Sequence, residues 1–166
     1  MALAYLKKLR TVKNVDKLIK GIKDLELMFC GCISLEDCMD IRKIVSAMMN
    51  DDMSTNNCSK AELVLSGMFG DCNKLQAIKI NNIDFTKFKH VDMYTMYSGC
   101  HNVTQIDISN TKFGREKAYF QSIFFLCCSV KEIKYSYEDQ ETELNKLKQK
   151  ILDYKIVQDV KLTKSN

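Results

Sequence analysis

Eight cysteines, two histidines and a lysine-rich start are the residues of this chain best suited to chemistry. The cysteines are Cys30, Cys32, Cys38, Cys58, Cys72, Cys100, Cys127 and Cys128. An even set can build a disulfide framework in a small secreted domain, and Cys30-x-Cys32 or Cys127-Cys128 could lend thiolates to zinc. The sequence points elsewhere. It has no C-x-x-C pair, His90 and His101 lie far from both cysteine clusters, and Met1–Arg10 has no apolar stretch leading to a small-residue cleavage site. Reduced thiols in an intracellular protein are expected, most of them small buried hydrophobes, with no metal and no cofactor. Catalysis has little support. There is no glycine-rich phosphate loop, no GxSxG elbow and no HExxH, and neither histidine reads beside a nucleophile and a carboxylate.

Cations crowd the start. Lys7, Lys8, Arg10, Lys13, Lys17, Lys20 and Lys23 face Asp16 alone, a net +6 in a chain whose total is +4. Such a segment can contact phosphates of a nucleic acid or an acidic membrane surface, or it can be a solvated helix face. A nucleic-acid platform would favour a basic stripe with stacking aromatics, whereas the strand-face residues mix both signs and supply one Tyr at most, so such contact would be placed at this basic start.

The elements that position these residues follow from a repeat. Met68-Phe69-x-x-Cys72 recurs as Met96-Tyr97-x-x-Cys100, Met28-Phe29-x-x-Cys32 and Ile123-Phe124-x-x-Cys127. An aliphatic follows each cysteine at Leu35, Leu75, Val103 and Val130, and three residues on stand Cys38, Ile78, Ile106 and Ile133. Ile80, Ile108 and Tyr135 come two later, where the first copy has Asp40. Leu25, Leu65, Met93 and Phe120 precede each block, and Leu147, Ile151, Tyr154, Val157, Val160 and Leu162 form a worn fifth copy. The anchors Leu35, Leu75, Val103, Val130 and Val157 step by 40, 28, 27 and 27 residues, so the first copy carries an insertion near 41–59. A cysteine that recurs in four equivalent places suits a structural slot better than a single active site.

Leu65, Met68, Phe69 and Cys72 are spaced i, i+3, i+4, i+7, which predicts a short helix, and Ser59-Lys-Ala-Glu62 reads as its capping box. Leu75-x-x-Ile78-x-Ile80 then predicts a strand, Asn82 and Asn110 a turn, and Phe85 and Phe113 fillers between strand and next helix. No copy can bury its apolar face alone, so the copies must stack. The expected fold is α/β, a solenoid of about five helix–strand–turn units of 27–28 residues with a parallel sheet. Residues 1–24 form a basic helical cap, 25–135 the repeats, and 136–166 a capping helix and strand. The end helices are read at Asp16–Phe29 and Glu138–Tyr154, the last strand at Lys155–Leu162, and Thr163–Asn166 as frayed. Ile41, Ile44, Val45, Met48 and Met49 make a helical stripe suited to the core.

The string Met-Phe-x-x-Cys-x-x-Leu-x-x-Ile-x-Ile resembles the BspA-like leucine-rich repeats. Gly31-Cys32-Ile33-Ser34-Leu35, Ser98-Gly99-Cys100-His101-Asn102-Val103, and Asn82-Ile83-Asp84-Phe85-Thr86 through Val91-Asp92-Met93 carry the likeness. It implies a solenoid that binds proteins or surface ligands.

Length and composition agree with one packed domain. The chain has 166 residues, 46% of them hydrophobic, with 6 glycines and no proline, which excludes disorder and collagen-like classes. No run of about 18 apolar residues offers a membrane span. In the expected architecture Glu36, Asp37, Met39, Gln76, Lys79, Thr104, Gln105, Asp107, Lys131, Glu132 and Lys134 point outward from the sheet, as a binding face or as solvated surface. The function expected is non-enzymatic: a module that binds another protein, within or outside a larger assembly. The alternatives are a part of a nucleoprotein or viral assembly docked through the basic start, and a cell-surface adhesin-like fragment.

Overall fold

The computed structural model describes residues 3–22, 24–36, 39–48 and 62–165. Within them the chain is α/β with parallel sheets and few helices. Four strands, β2 (Ala77–Lys79), β4 (Gln105–Asp107), β5 (Glu132–Tyr135) and β6 (Lys161–Lys164), pair in that order. A second sheet joins β1 (Glu62–Val64) to β3 (His90–Asp92), and every pairing is parallel. The helices are α1 (Val15–Leu18), α2 (Ile41–Met48), α3 (Phe120–Ile123) and α4 (Glu141–Asp153).

The register follows the apolar anchors. Ile78 pairs with Ile106 and Ile106 with Ile133, and all three are fully buried. Their neighbours Leu75, Val103 and Val130 and Ile80, Ile108 and Tyr135 are buried with them. In the two-stranded sheet Leu63 pairs with Val91, and both are buried.

The segments ahead of β2 and β4 are not helices. In the second copy Leu65, Gly67, Phe69 and Asp71 donate their amides to the carbonyls of Asp92, Tyr94, Met96 and Ser98 in the next copy. The intervening amides of Met68, Gly70 and Cys72 turn back to Leu65, Gly67 and Phe69. The alternation is enforced by left-handed residues, which no α-helix accommodates. They recur at Leu27, Gly67 and Thr95 and again at Gly31, Asp71, Gly99 and Leu126. At Gly99, with φ of 75°, an added Cβ would run into the side chain of Asp71. The helical spacing of Leu65, Met68, Phe69 and Cys72 therefore reflects successive three-residue turns with the same inward face. The fourth copy winds one helical turn, α3, and the worn fifth copy carries the longer α4.

Two columns run through these turns. Phe29, Phe69, Tyr97 and Phe124 stack with ring centroids 5.5, 5.1 and 6.2 Å apart. Beside them Cys32, Cys72, Cys100 and Cys127 donate their thiols to the carbonyls of Leu3, Phe29, Phe69 and Tyr97 at 3.1–3.2 Å. The repeated cysteine is thus a small apolar side chain that also satisfies a carbonyl of the preceding turn.

Other boundaries move. The first helix is one turn, Val15–Leu18, and not Asp16–Phe29. Left-handed Asn14 stands before it, and left-handed Gly21 and Leu27 break the stretch that follows. Glu62 opens a strand in place of a capped helix, and the rest of that capping box lies outside the described residues. Ile133 pairs with Leu162 and not with Val160, so the last strand is Lys161–Lys164. Thr163 and Lys164 are paired and not frayed, Ser165 donates its amide to Tyr135 O, and Asn166 lies outside the described residues. The stripe of α2 is buried at Ile41, Ile44, Val45 and Met48, with Met49 outside the described residues. The amphipathic α4 buries Leu144, Leu147 and Ile151 but starts at Glu141, after a 3-10 turn over Glu138–Gln140. Asn82 and Asn110 share a left-handed turn slot, and Phe85 and Phe113 meet at 5.6 Å.

Truncating Ile106 to alanine removes a fully buried side chain at the centre of this register and is expected to cost about 2–5 kcal/mol. Gln105→Ala, one residue away and partly exposed, should cost far less, and urea unfolding of the two variants checks the contrast.

Candidate functional site

The outer face of the four-stranded sheet carries two rows of side chains. Ala77, Gln105, Glu132 and Lys161 lie opposite one another, and Lys79, Asp107, Lys134 and Thr163 form the second row. The rows exist because strand side chains alternate in direction while the core keeps Ile78, Ile106 and Ile133 inward. Below them the backbone ladder continues: Gln76 O accepts from Thr104 N–H and its hydroxyl, Thr104 O from Lys131 N–H, and Lys131 O from Lys161 N–H.

Polar bonds tie the middle of the face. The Glu132 carboxylate accepts from Gln105 Nε2 at 2.7 Å and from Thr163 Oγ1 at 2.9 Å. These two bonds, that from Gln105 foremost, hold its carboxyl below the usual glutamate range, and the charges of Lys134 and Lys161 act in the same direction. Asp107 accepts from Asn81 and from Ser109. Lys79 and Lys131 stay exposed at the margins, with Gln76.

The first copy does not extend this face. Met39 is 5% exposed and packs into the core. No strand forms at that point among the described residues; the chain instead enters α2, and an apolar thioether there is better buried than displayed. Glu36 is exposed but lies off the sheet, its amide bonded to Arg10 O. Asp37 and Lys23 lie outside the described residues, as do Cys38, Cys58 and most of the 41–59 insertion. Lys7, Lys8, Arg10, Lys13, Lys17 and Lys20 are all exposed.

Two surfaces went unread in the sequence. Beside β3, an open edge of the two-stranded sheet, a groove is lined by His90, Asp92, Tyr94, Arg115, Glu116 and Tyr119. Partial burial, with help from Asp92, raises the Glu116 carboxyl above the usual range, against opposing pulls from His90 and Arg115. The exposed Tyr94 and Tyr119 were its only sequence signal. The other surface is a cleft of about 300 Å³ between α1 and α2, where Arg42 and Lys43 join Lys17 and Lys20.

The buried column thiols have little nucleophilic character. Burial pushes Cys72, Cys100 and Cys127 well above the ordinary thiol range. Cys128 Sγ lies 3.7 Å from His101 Nδ1, and the same ring nitrogen is 3.1 Å from Leu126 O. Among the described residues no three His, Cys, Asp or Glu side chains gather to hold a metal, and no helix is long and apolar enough to cross a membrane.

Compared with protein-family models, with curated proteins and with solved structures, the chain matches none.

Two predictions follow from the site. Gln105→Ala and Thr163→Val should each raise the Glu132 midpoint toward about 4.3, the ordinary value, as read by NMR titration. Because the folded value is depressed, Glu132 contributes stability above the ordinary range and loses it as pH falls through its lowered midpoint. Cys72, Cys100 and Cys127 should resist a thiol-alkylating reagent in the native protein and react only on unfolding, as mass spectrometry of alkylated peptides will report.

Proposed function

We propose that the chain is a short leucine-rich-repeat solenoid of the BspA-like kind that acts, without catalysis, as a protein-binding or assembly module. The observation that carries this reading is the register of β2, β4, β5 and β6, which sets two rows of polar side chains side by side on one face. The parallel ladder from turn to turn and the recurring thiol and aromatic columns support the solenoid part of it. Exposed sheet faces of stacked units are extended surfaces well suited to partners.

The contact residues we assign are Gln76, Lys79, Thr104, Gln105, Asp107, Lys131, Glu132 and Lys134. The Gln105–Glu132–Thr163 bonds hold the centre in one arrangement, so a partner meets a preorganised surface. Lys79 and Lys131, with long exposed stems, would reach it first. The compartment proposed is a reducing one, because four thiols serve as hydrogen-bond donors and could not do so as disulfides.

A photo-activatable cross-linker at position 79 or 131 tests the proposal. In nuclease-treated extract at high salt it should capture one defined protein, and capture should fail from position 146 on α4. Equal capture from all three positions, or loss of all capture on nuclease treatment, would overturn the reading.

A further inference from the structure

The cleft between α1 and α2 gathers cations that lie far apart in sequence. Lys17 and Lys20 come from α1 and its exit, Arg42 and Lys43 from the first turn of α2, and Ser46 adds a hydroxyl. Among the described residues Asp16 is the single acid in the lining. None of the four cations enters an ion pair among the described residues. Asp40, just before α2, accepts the backbone amide of Arg42.

The two walls are fixed relative to one another. Ile19 is fully buried with Ile44 and Val45 in the same core, and Gly21 donates its amide to Ala47 O at 3.0 Å. Like charges held together this way repel unless an anion lies between them. Among the described residues the lining contains no aromatic side chain that would stack on a base. A volume of about 300 Å³ suits a compact anion.

We propose that this cleft binds a compact ligand carrying two or more adjacent phosphates, held by Lys17, Lys20, Arg42 and Lys43 with Ser46 as a neutral donor. The site is independent of the sheet face, and the guanidinium of Arg42 would supply the paired donors.

Calorimetric titration with inorganic tripolyphosphate tests the proposal. One ligand should bind per chain, more weakly as salt rises. Arg42→Gln and Lys17→Gln should each weaken it about fivefold or more, Arg42→Lys much less, and Lys7→Gln or Lys8→Gln less than about twofold. All these side chains are exposed, so thermal melting should show every variant folded. No binding of tripolyphosphate, an unchanged affinity in Arg42→Gln, or an equal loss in Lys7→Gln would each overturn the site. A single-stranded oligonucleotide, or vesicles bearing a phosphorylated inositol lipid, run in parallel identify the source of the phosphates. If either bound through these cations far more tightly than tripolyphosphate, the ligand would be a polymer backbone or a membrane surface, and the compact-ligand proposal would fall.

Discussion

The division of backbone amides between neighbouring copies is the constraint on which the rest of this molecule depends. From Gly67 to Cys72, every second N–H bonds to the next copy and those between turn back three residues within their own. Both sets are needed, because a buried amide left without an acceptor would cost about as much as a lost hydrogen bond. The left-handed residues are what let one short segment serve two partners. Once that division is set, the inward side chains have fixed places: an apolar residue at each turn, an aromatic in one column, a cysteine in the next.

The cysteine column shows how closely the side chains obey this constraint. Alanine would fit the space but could not donate to the carbonyl of the preceding turn, and serine would bring a more strongly hydrated hydroxyl into an apolar layer. A thiol answers both demands. Burial then keeps it protonated, which suits a donor and disarms a nucleophile. The feature of the sequence that first suggests reactivity is thereby a device of packing.

Much of the fold was legible because burial dictates spacing. The anchors Leu75, Val103 and Val130, and the isoleucines three residues later, gave the strand register of β2, β4 and β5 without error. What misled was a coincidence of period. Three-residue turns place Leu65, Met68, Phe69 and Cys72 on one side just as a helix would. Gly67 and Asp71 are types that tolerate the positive φ that excludes the helix, but Leu27, Thr95 and Leu126 in equivalent slots do not announce it by their type. The strands β1 and β3 are three residues long, too short for alternation around Leu63 or Val91 to stand out. In the last copy Val160 and Leu162 both fit the apolar template, and only the pairing of Leu162 with Ile133 decides between them. Of the site, the rows around Gln105 and Glu132 were readable from strand alternation. Met39 was not, since its place depended on a strand that gives way to α2, and Arg42 and Lys43 were hidden in a helix read only for its buried stripe.

The alternation of amides behaves like a reading frame. A residue inserted between Leu65 and Ile80 would exchange the two sets of donors downstream, aiming at the neighbour those meant to close the turn. Two inserted residues would restore the parity but displace the cysteine from its carbonyl. Changes of length are therefore confined to the corners where the ladders pause, and the growth of such a chain proceeds by whole copies.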